Sequence, residues 1–352
     1  MYSYDFFNMF HGENPGIRTA KQRRNLKSQV DESFQEAFPD IIELEKEFSS
    51  KGGQTKEEYF KTSRGLSLFS RTLVPDVELA PLRGAIMYCH GYTDDIQFQS
   101  KKSMLKYANL GYVVAAIEME GHGYSDGLSC LLPDVDAATQ DAYEFLQQKR
   151  KEYSTLKWLV HGESMGGMFA LNLALLAQSH KNPFHGVVLL APMCKIAEEV
   201  KPAPPIISFL RFLSKAFPTL SLTPTSMDDS LVFRDPKMMS KIKSNPIKYA
   251  GRPRLATAVA LLQSTLNLEK KLVELATPFF IMHGSADVVT SPEASKELYE
   301  NSKVDKNDKE LVILEDQWHG FMGEAPEVVS GYWKTVLDWA NSRTVISESI
   351  TN

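Results

Sequence analysis

The sequence predicts an α/β protein built on a mostly parallel sheet with helices on both faces and an inserted helical cap. Three observations lead there. Short apolar runs at residues 85–89, 112–119, 158–160, 186–191, 278–282 and 311–314 alternate with helical patterns, as strands buried on both faces do. Most of these runs end in a turn rich in glycine or histidine, such as His90-Gly91 and His283-Gly284. Between residues 192 and 250 the alternation stops, and a proline-rich stretch with helical patterns replaces it, too long for an ordinary connection.

Taken in order, residues 1–55 read as an N-terminal helical extension. A basic cluster (Arg18, Lys21, Arg23, Arg24, Lys27) reads as solvated surface, with a membrane or partner arm as the sharper alternative. It precedes an acidic segment in which Phe34, Phe38, Ile41, Ile42, Leu44 and Phe48 recur at roughly helical spacing around Pro39. Residues 49–53 read as a linker, and 59–62 with 66–72 as a hairpin. The core is expected over 56–191 and 251–342, the cap over 192–250, and a frayed tail over 343–352. Within the cap, residues 206–217 form an apolar helix with a narrow polar face through Ser208, Arg211 and Lys215. Such a helix ordinarily packs on its neighbours. In the functional reading, Ile206, Phe209, Leu210 and Leu213 wall an acyl chain or meet a membrane surface.

Bulk composition narrows the function classes. A net charge of -5 gives no reason to expect a nucleic-acid partner. Cys89, Cys130 and Cys194 are odd in number and lie in or beside apolar runs, which favours buried thiols and a reducing cytoplasmic compartment over disulfides. No segment has the length of a membrane-spanning helix, and the N-terminus lacks the basic-then-apolar order of a signal peptide.

The chemistry centres on Gly162-Glu163-Ser164-Met165-Gly166, which fits G-x-S-x-G between an apolar strand and an apolar helix. A tight turn there lifts the Ser164 hydroxyl clear of the sheet, and a side chain at Gly162 or Gly166 would collide across it. A serine needs a base and the base needs an orienting group. The order Ser, then Asp, then His at strand ends selects Asp287 and His319. His283 reads as a structural hydrogen bonder, Asp305 and Asp308 as surface, and Asp316 as too close to His319 in sequence. The expected oxyanion donors are the backbone N–H groups of Met165 and Tyr92, with His90 and Gly91 beside the substrate. No pair of histidines has metal-ligand spacing, so no metal is expected.

With those residues, the chain resembles the monoacylglycerol lipase/lysophospholipase type of α/β-hydrolase, in particular the plant branch that includes caffeoylshikimate esterase. The resemblance spans residues 59–339 and rests on His90-Gly91-Tyr92, the run from Glu120 to Gly127, Gly162 to Gly167, Ala191 to Ile196, Pro253-Arg254-Leu255, His283 to Asp287 and Trp318-His319. It implies an eight-stranded sheet, a helical cap after the sixth strand, the triad Ser164, Asp287 and His319, and ester hydrolysis without a cofactor. Glu163, where animal lipases carry histidine, places the resemblance nearer the plant branch. The expected substrate is a small-molecule ester or lipid, a monoacylglycerol first. Alternatives are a lysophospholipid, a caffeoylshikimate-type ester, acyl transfer, or ligand binding without catalysis, with peripheral membrane contact through the cap.

Overall fold

The computed structural model describes residues 18–78, 80–196, 201–221 and 231–344. The opening residues of the expected extension, two stretches of the expected cap (197–200 and 222–230) and nearly all of the expected tail lie outside the described residues.

Among the described residues three helices come first: α1 (Ala20–Arg24), α2 (Lys27–Ala37) and α3 (Pro39–Ser50). Thr19 caps α1 by accepting from the Gln22 N–H, and Pro39 sits where α3 starts, so it begins a helix instead of breaking one. The residues expected to be a linker finish α3 and turn at once into the sheet, held by a Gly53 N–H to Phe48 carbonyl bond of 3.0 Å. The strands are β1 (Gln54–Lys61), β2 (Ser67–Val74), β3 (Gly84–Cys89), β4 (Tyr112–Ile117), β5 (Trp158–Glu163), β6 (Gly186–Leu190), β7 (Phe279–Gly284) and β8 (Lys309–Leu314). They form one sheet of eight strands in the order β1-β2-β4-β3-β5-β6-β7-β8. β2 pairs antiparallel with both β1 and β4, and every other pairing is parallel. The expected eight-stranded, mostly parallel sheet is what the chain forms.

The remaining helices are α4 (Lys101–Ala108), α5 (Val135–Glu152), α6 (Met165–Ser179), α7 (Pro204–Ala216), α8 (Pro236–Lys243), α9 (Leu255–Lys271), α10 (Pro292–Asn301) and α11 (Pro326–Thr344). Side chains alternate across a strand, so the apolar runs supply two cores at once. Ala85, Met87, Val160 and Ile281 face one core with α5, α6, α9 and α10. Ile86, Tyr88, Leu159 and Phe280 face the other with α4, α11 and the N-terminal helices. Val30, Phe34, Ile41 and Phe48 are buried there, so the N-terminal helices form part of the second layer.

The basic cluster corrects the sequence reading. Arg23, expected on the surface, is 1% exposed and bonded to backbone carbonyls of residues 123–127. Periodicity and charge show which side chains prefer cover but not which buried carbonyls need a donor.

Trp333 of α11 is 2% exposed and lies edge-on to Tyr107 at 5.7 Å between ring centroids. It is also stacked parallel to His161 at 6.2 Å, directly beneath the strand that carries the serine. Trp333→Ala is expected to cost about 3–5 kcal/mol of unfolding free energy, measured by urea denaturation.

Candidate active site

The G-x-S-x-G turn is as tight as its composition demands. Ser164 has φ 55° and ψ -119°, a conformation that costs a side-chain-bearing residue about 1–3 kcal/mol. A Cβ at Gly162 would lie 2.1 Å from the Gly166 carbonyl oxygen, and one at Gly166 would lie 2.0 Å from the Cys89 carbonyl oxygen. The turn is pinned from both sides. The Ser164 N–H donates to Leu190 O at 3.0 Å, and Ser164 O accepts from the N–H groups of Met193 and Gly167 at 2.9 Å.

Asp287 and His319 come together from the ends of β7 and β8. Gly284 permits this, since a Cβ there would lie 2.2 Å from Gln317 O in the loop that carries His319. His319 Nδ1–H donates to Asp287 Oδ2 at 2.7 Å, which leaves Nε2 as the ring's free base. The same Oδ2 accepts from His283 Nε2–H at 3.0 Å and from the Thr290 hydroxyl at 2.9 Å. Oδ1 accepts from the backbone N–H groups of Val289 at 2.7 Å and Thr290 at 3.0 Å. Burial alone would raise the Asp287 carboxyl, but these donors, His283 and His319 first, hold it well below the usual carboxylate range. His283 is fixed in turn by Ser295 Oγ at 2.7 Å. Its reading as a structural hydrogen bonder fits, and its partner is Asp287. Thr290 was not anticipated, because a threonine three residues past an aspartate carries no signal of its own.

Ser164 and His319 line one cavity with Gly91 and Tyr92. Among the described residues, the N–H groups of Tyr92 and Met165 donate to no protein acceptor, which leaves both available to a ligand oxygen. The loop bearing Tyr92 is held by Asp95, whose Oδ1 accepts from the Gln97 and Phe98 N–H groups and whose Oδ2 accepts from Asn245 Nδ2, each at 2.8 Å.

Two groups of residues expected at the substrate lie outside this cavity. His90 is fully buried and does not line the cavity; its Nε2 accepts from the Met119 N–H at 3.0 Å and its Nδ1–H faces Gly91 O at 2.9 Å. It ties two loops together, and burial lowers it to about 4, so it stays neutral. Ile206, Phe209, Leu210 and Leu213 of α7 are likewise absent from the cavity, and Ile206 and Phe209 are 52% and 61% exposed. The apolar wall beside Ser164 is built instead from Phe98, Leu190, Phe233, Ile242, Phe321 and Tyr332. The cavity's polar lining is Thr93, Asp94, Gln99, Glu163, Asn245 and Lys248.

A strained serine, a histidine and a buried ionised aspartate around one cavity match a known lineage. The family model described as serine aminopeptidase, S33, matches residues 80–326. The chain belongs to this hydrolase family. It is 31% identical over 303 residues to caffeoylshikimate esterase of Arabidopsis thaliana, covering 85% of this chain and 89% of the relative. Monoglyceride lipase of Homo sapiens is 28% identical over 235 residues, 67% of this chain and 75% of that protein. In fold, the chain resembles a soluble variant of monoglyceride lipase from Saccharomyces cerevisiae, with a TM-score of 0.69 at 19% identity over 84% of this chain and 96% of that one. This α/β-hydrolase is a carboxylic ester hydrolase of the serine type.

The depressed Asp287 carboxyl gives a signed pH dependence. Its folded value lies below its unfolded value of about 4, so its stabilisation is complete above that pH and is lost as pH falls toward the folded value. Asp287→Asn is expected to lower kcat by about 10³ to 10⁴. The melting-temperature gap between native protein and variant should be widest at neutral pH and shrink below about pH 4.

Proposed function

We propose that this hydrolase is a monoacylglycerol lipase in which Ser164 is the nucleophile, His319 the general base and Asp287 the orienting carboxylate. The observation that carries the reading is the cavity's lining, which combines apolar and aromatic side chains with polar ones around Ser164. An amphiphilic ester matches such a lining, with its acyl chain against the apolar residues and its hydroxyl-bearing alcohol at the polar ones. In this reading residues 192–250 act as the cap of a core formed by 56–191 and 251–342, with 1–55 as its N-terminal extension and 343–352 as its tail.

The chemistry then follows in two halves. Ser164 Oγ attacks the ester carbonyl while its proton passes to His319 Nε2, and Asp287 stabilises the resulting imidazolium. The oxyanion takes hydrogen bonds from the N–H groups of Tyr92 and Met165. Collapse expels the alcohol, which takes the proton from His319. Water, deprotonated by the same ring, then releases the acid from Ser164.

A second reading, hydrolysis of a phenylpropanoid ester, draws on the Arabidopsis relative's name and on Phe98, Phe233, Phe321 and Tyr332 in the cavity wall. A panel of monoacylglycerols of several chain lengths, a lysophospholipid, caffeoylshikimate and a short p-nitrophenyl ester separates the readings. Long-chain monoacylglycerol is expected to be the best substrate, and Ser164→Ala to lower kcat by about 10⁴-fold or more on it. Turnover of caffeoylshikimate alone would transfer the assignment to the second reading.

Helix α7 supports peripheral membrane contact. Among the described residues no helix is long and apolar enough to cross a bilayer. Yet Ile206, Phe209 and Phe212 are 52%, 61% and 71% exposed, with Arg211 and Lys215 on the same helix to meet anionic headgroups. Each phenyl ring inserted into acyl chains contributes about 2 kcal/mol. Phe209→Asp with Phe212→Asp is expected to cut binding to phosphatidylcholine/phosphatidylserine vesicles about 1,000-fold in a flotation assay. Hydrolysis of a water-soluble ester should stay unchanged.

A further inference from the structure

A guanidinium is costly to bury unless its N–H groups find acceptors, and Arg23 finds them in one loop. Its Nε donates to Gly123 O at 2.5 Å, one terminal nitrogen donates to Ser125 O at 2.6 Å, and the other donates to Gly127 O at 3.2 Å and Arg18 O at 2.8 Å. Arg24 takes the residues between. Its Nε donates to Tyr124 O at 2.7 Å and its terminal nitrogen to the Asp126 carboxylate, also at 2.7 Å. Residues 123 to 127 thus each give an acceptor to one of two adjacent arginines, alternating along the loop.

That loop backs the one that carries Tyr92. Glu118, at its start, accepts from the N–H of Tyr124 at 2.6 Å and from the N–H of Ile96 at 3.3 Å. Met119 N–H donates to His90 Nε2 at 3.0 Å, one residue before Gly91. The His122 ring meets Tyr92 edge to face at 5.8 Å and lies 5.1 Å from the His90 ring. The loop's own backbone bonds, Gly121 N–H to Asp126 O at 2.8 Å and His122 N–H to Met119 O and Ser125 N–H to His122 O at 3.0 Å, leave the carbonyls of Gly123, Tyr124, Ser125 and Gly127 to the arginines, and Gly121 and Gly123 have φ 79° and 45°.

We propose that Arg23 and Arg24 are positioning residues for ester hydrolysis, fixing residues 118–127 and, through His122 and His90, the Tyr92 N–H where the oxyanion develops. The N-terminal helices are then part of the catalytic apparatus. This inference rests on the roles assigned above to Ser164 and Tyr92. Misplacing an oxyanion donor slows the chemical step more than it weakens ground-state binding, so the loss should fall on kcat.

The test uses the full chain. kcat and KM are measured on a substrate the native protein turns over, with competent sites counted by end-point titration with a fluorophosphonate. Arg23→Ala is expected to lower kcat per titrated site about 10-fold or more, against the roughly 10²-fold cost of a 1 Å misplacement, with KM within about two-fold. Added ethylguanidinium should restore part of the lost kcat. Arg24→Gln, at a half-exposed position, should lower kcat roughly 3-fold with the same KM pattern. If Arg23→Ala does not fold, Arg23→Lys and Arg24→Gln decide by the same criterion. Arginine variants that lose melting temperature or titratable sites while kcat per site stays native overturn the proposal and leave the hydrolase reading intact. A native protein whose turnover is unaffected by Ser164→Ala overturns both.

Discussion

The close approach of three parallel strand ends around Ser164 is the constraint on which the rest of the structure depends. β3, β5 and β6 converge so tightly that Gly166 rests against the Cys89 carbonyl and Gly167 against Pro192, where an added Cβ would sit 2.6 Å from the proline side chain. The positive φ of Ser164 is tolerated because its own N–H and C=O are both held by the chain at the end of β6. The residues that follow β3 and β6 are thereby fixed beside the hydroxyl, Gly91 and Tyr92 on one side and Ala191 on the other. The same device recurs one step along the sheet, where Gly284 lets the loops after β7 and β8 touch. Sites at the carboxyl ends of parallel strands follow from this geometry, because only there do several loops meet over one sheet edge.

The second helical layer explains why the N-terminal helices belong to the fold. Phe34 and Phe38 pack edge to face on Phe98, at 5.6 and 5.3 Å, and Phe98 is itself in the cavity wall. Lys101 ends over the Phe34 ring at 4.4 Å and pairs with Glu45, locking α2 and α3 to α4. Three aromatic side chains therefore carry contact from the extension to the cavity without any described residue of the extension lining it. Arg23 and Arg24 of α1 form a second, polar route from the extension, to the loop whose His122 ring meets Tyr92.

Much of this was legible in the sequence. The strands were visible because doubly buried strands read as unbroken apolar runs, and the Ser164 turn because its two glycines are sterically obligatory. Asp287 and His319 were legible because their positions follow from strand ends and chain order. What was hidden depends on partners distant in sequence. His90 and Phe209 look alike as pocket candidates, yet one ring is consumed by the Met119 N–H and the other is left in the open. An apolar face states that it prefers cover but not what covers it. Arg23 was misread for the converse reason: all but one of its backbone acceptors lie 100 residues and more away, on a loop whose carbonyls no local pattern reveals as unpaired.

The carboxyl groups around the cavity show how one site holds acids in opposite states. Asp287 is buried, but five donors converge on it, three of them from side chains, and it stays ionised. Asp94 is half-buried beside Asp95, with the Ser100 hydroxyl and the Asp95 N–H donating to it among the described residues, and desolvation together with the Asp95 charge pushes it far above the usual carboxylate range. Glu163 falls on the other side of the balance. Burial would raise it, but hydrogen bonds from His161, Ser103 and Tyr88 hold it below its ordinary value. At neutral pH the polar lining therefore presents one carboxyl that can donate and one carboxylate that can only accept. A hydroxyl both donates and accepts, so an alcohol bearing several hydroxyls can satisfy both groups. The number of donors supplied to each carboxyl, more than its depth, sets its charge and with it the chemistry of the alcohol this cavity suits.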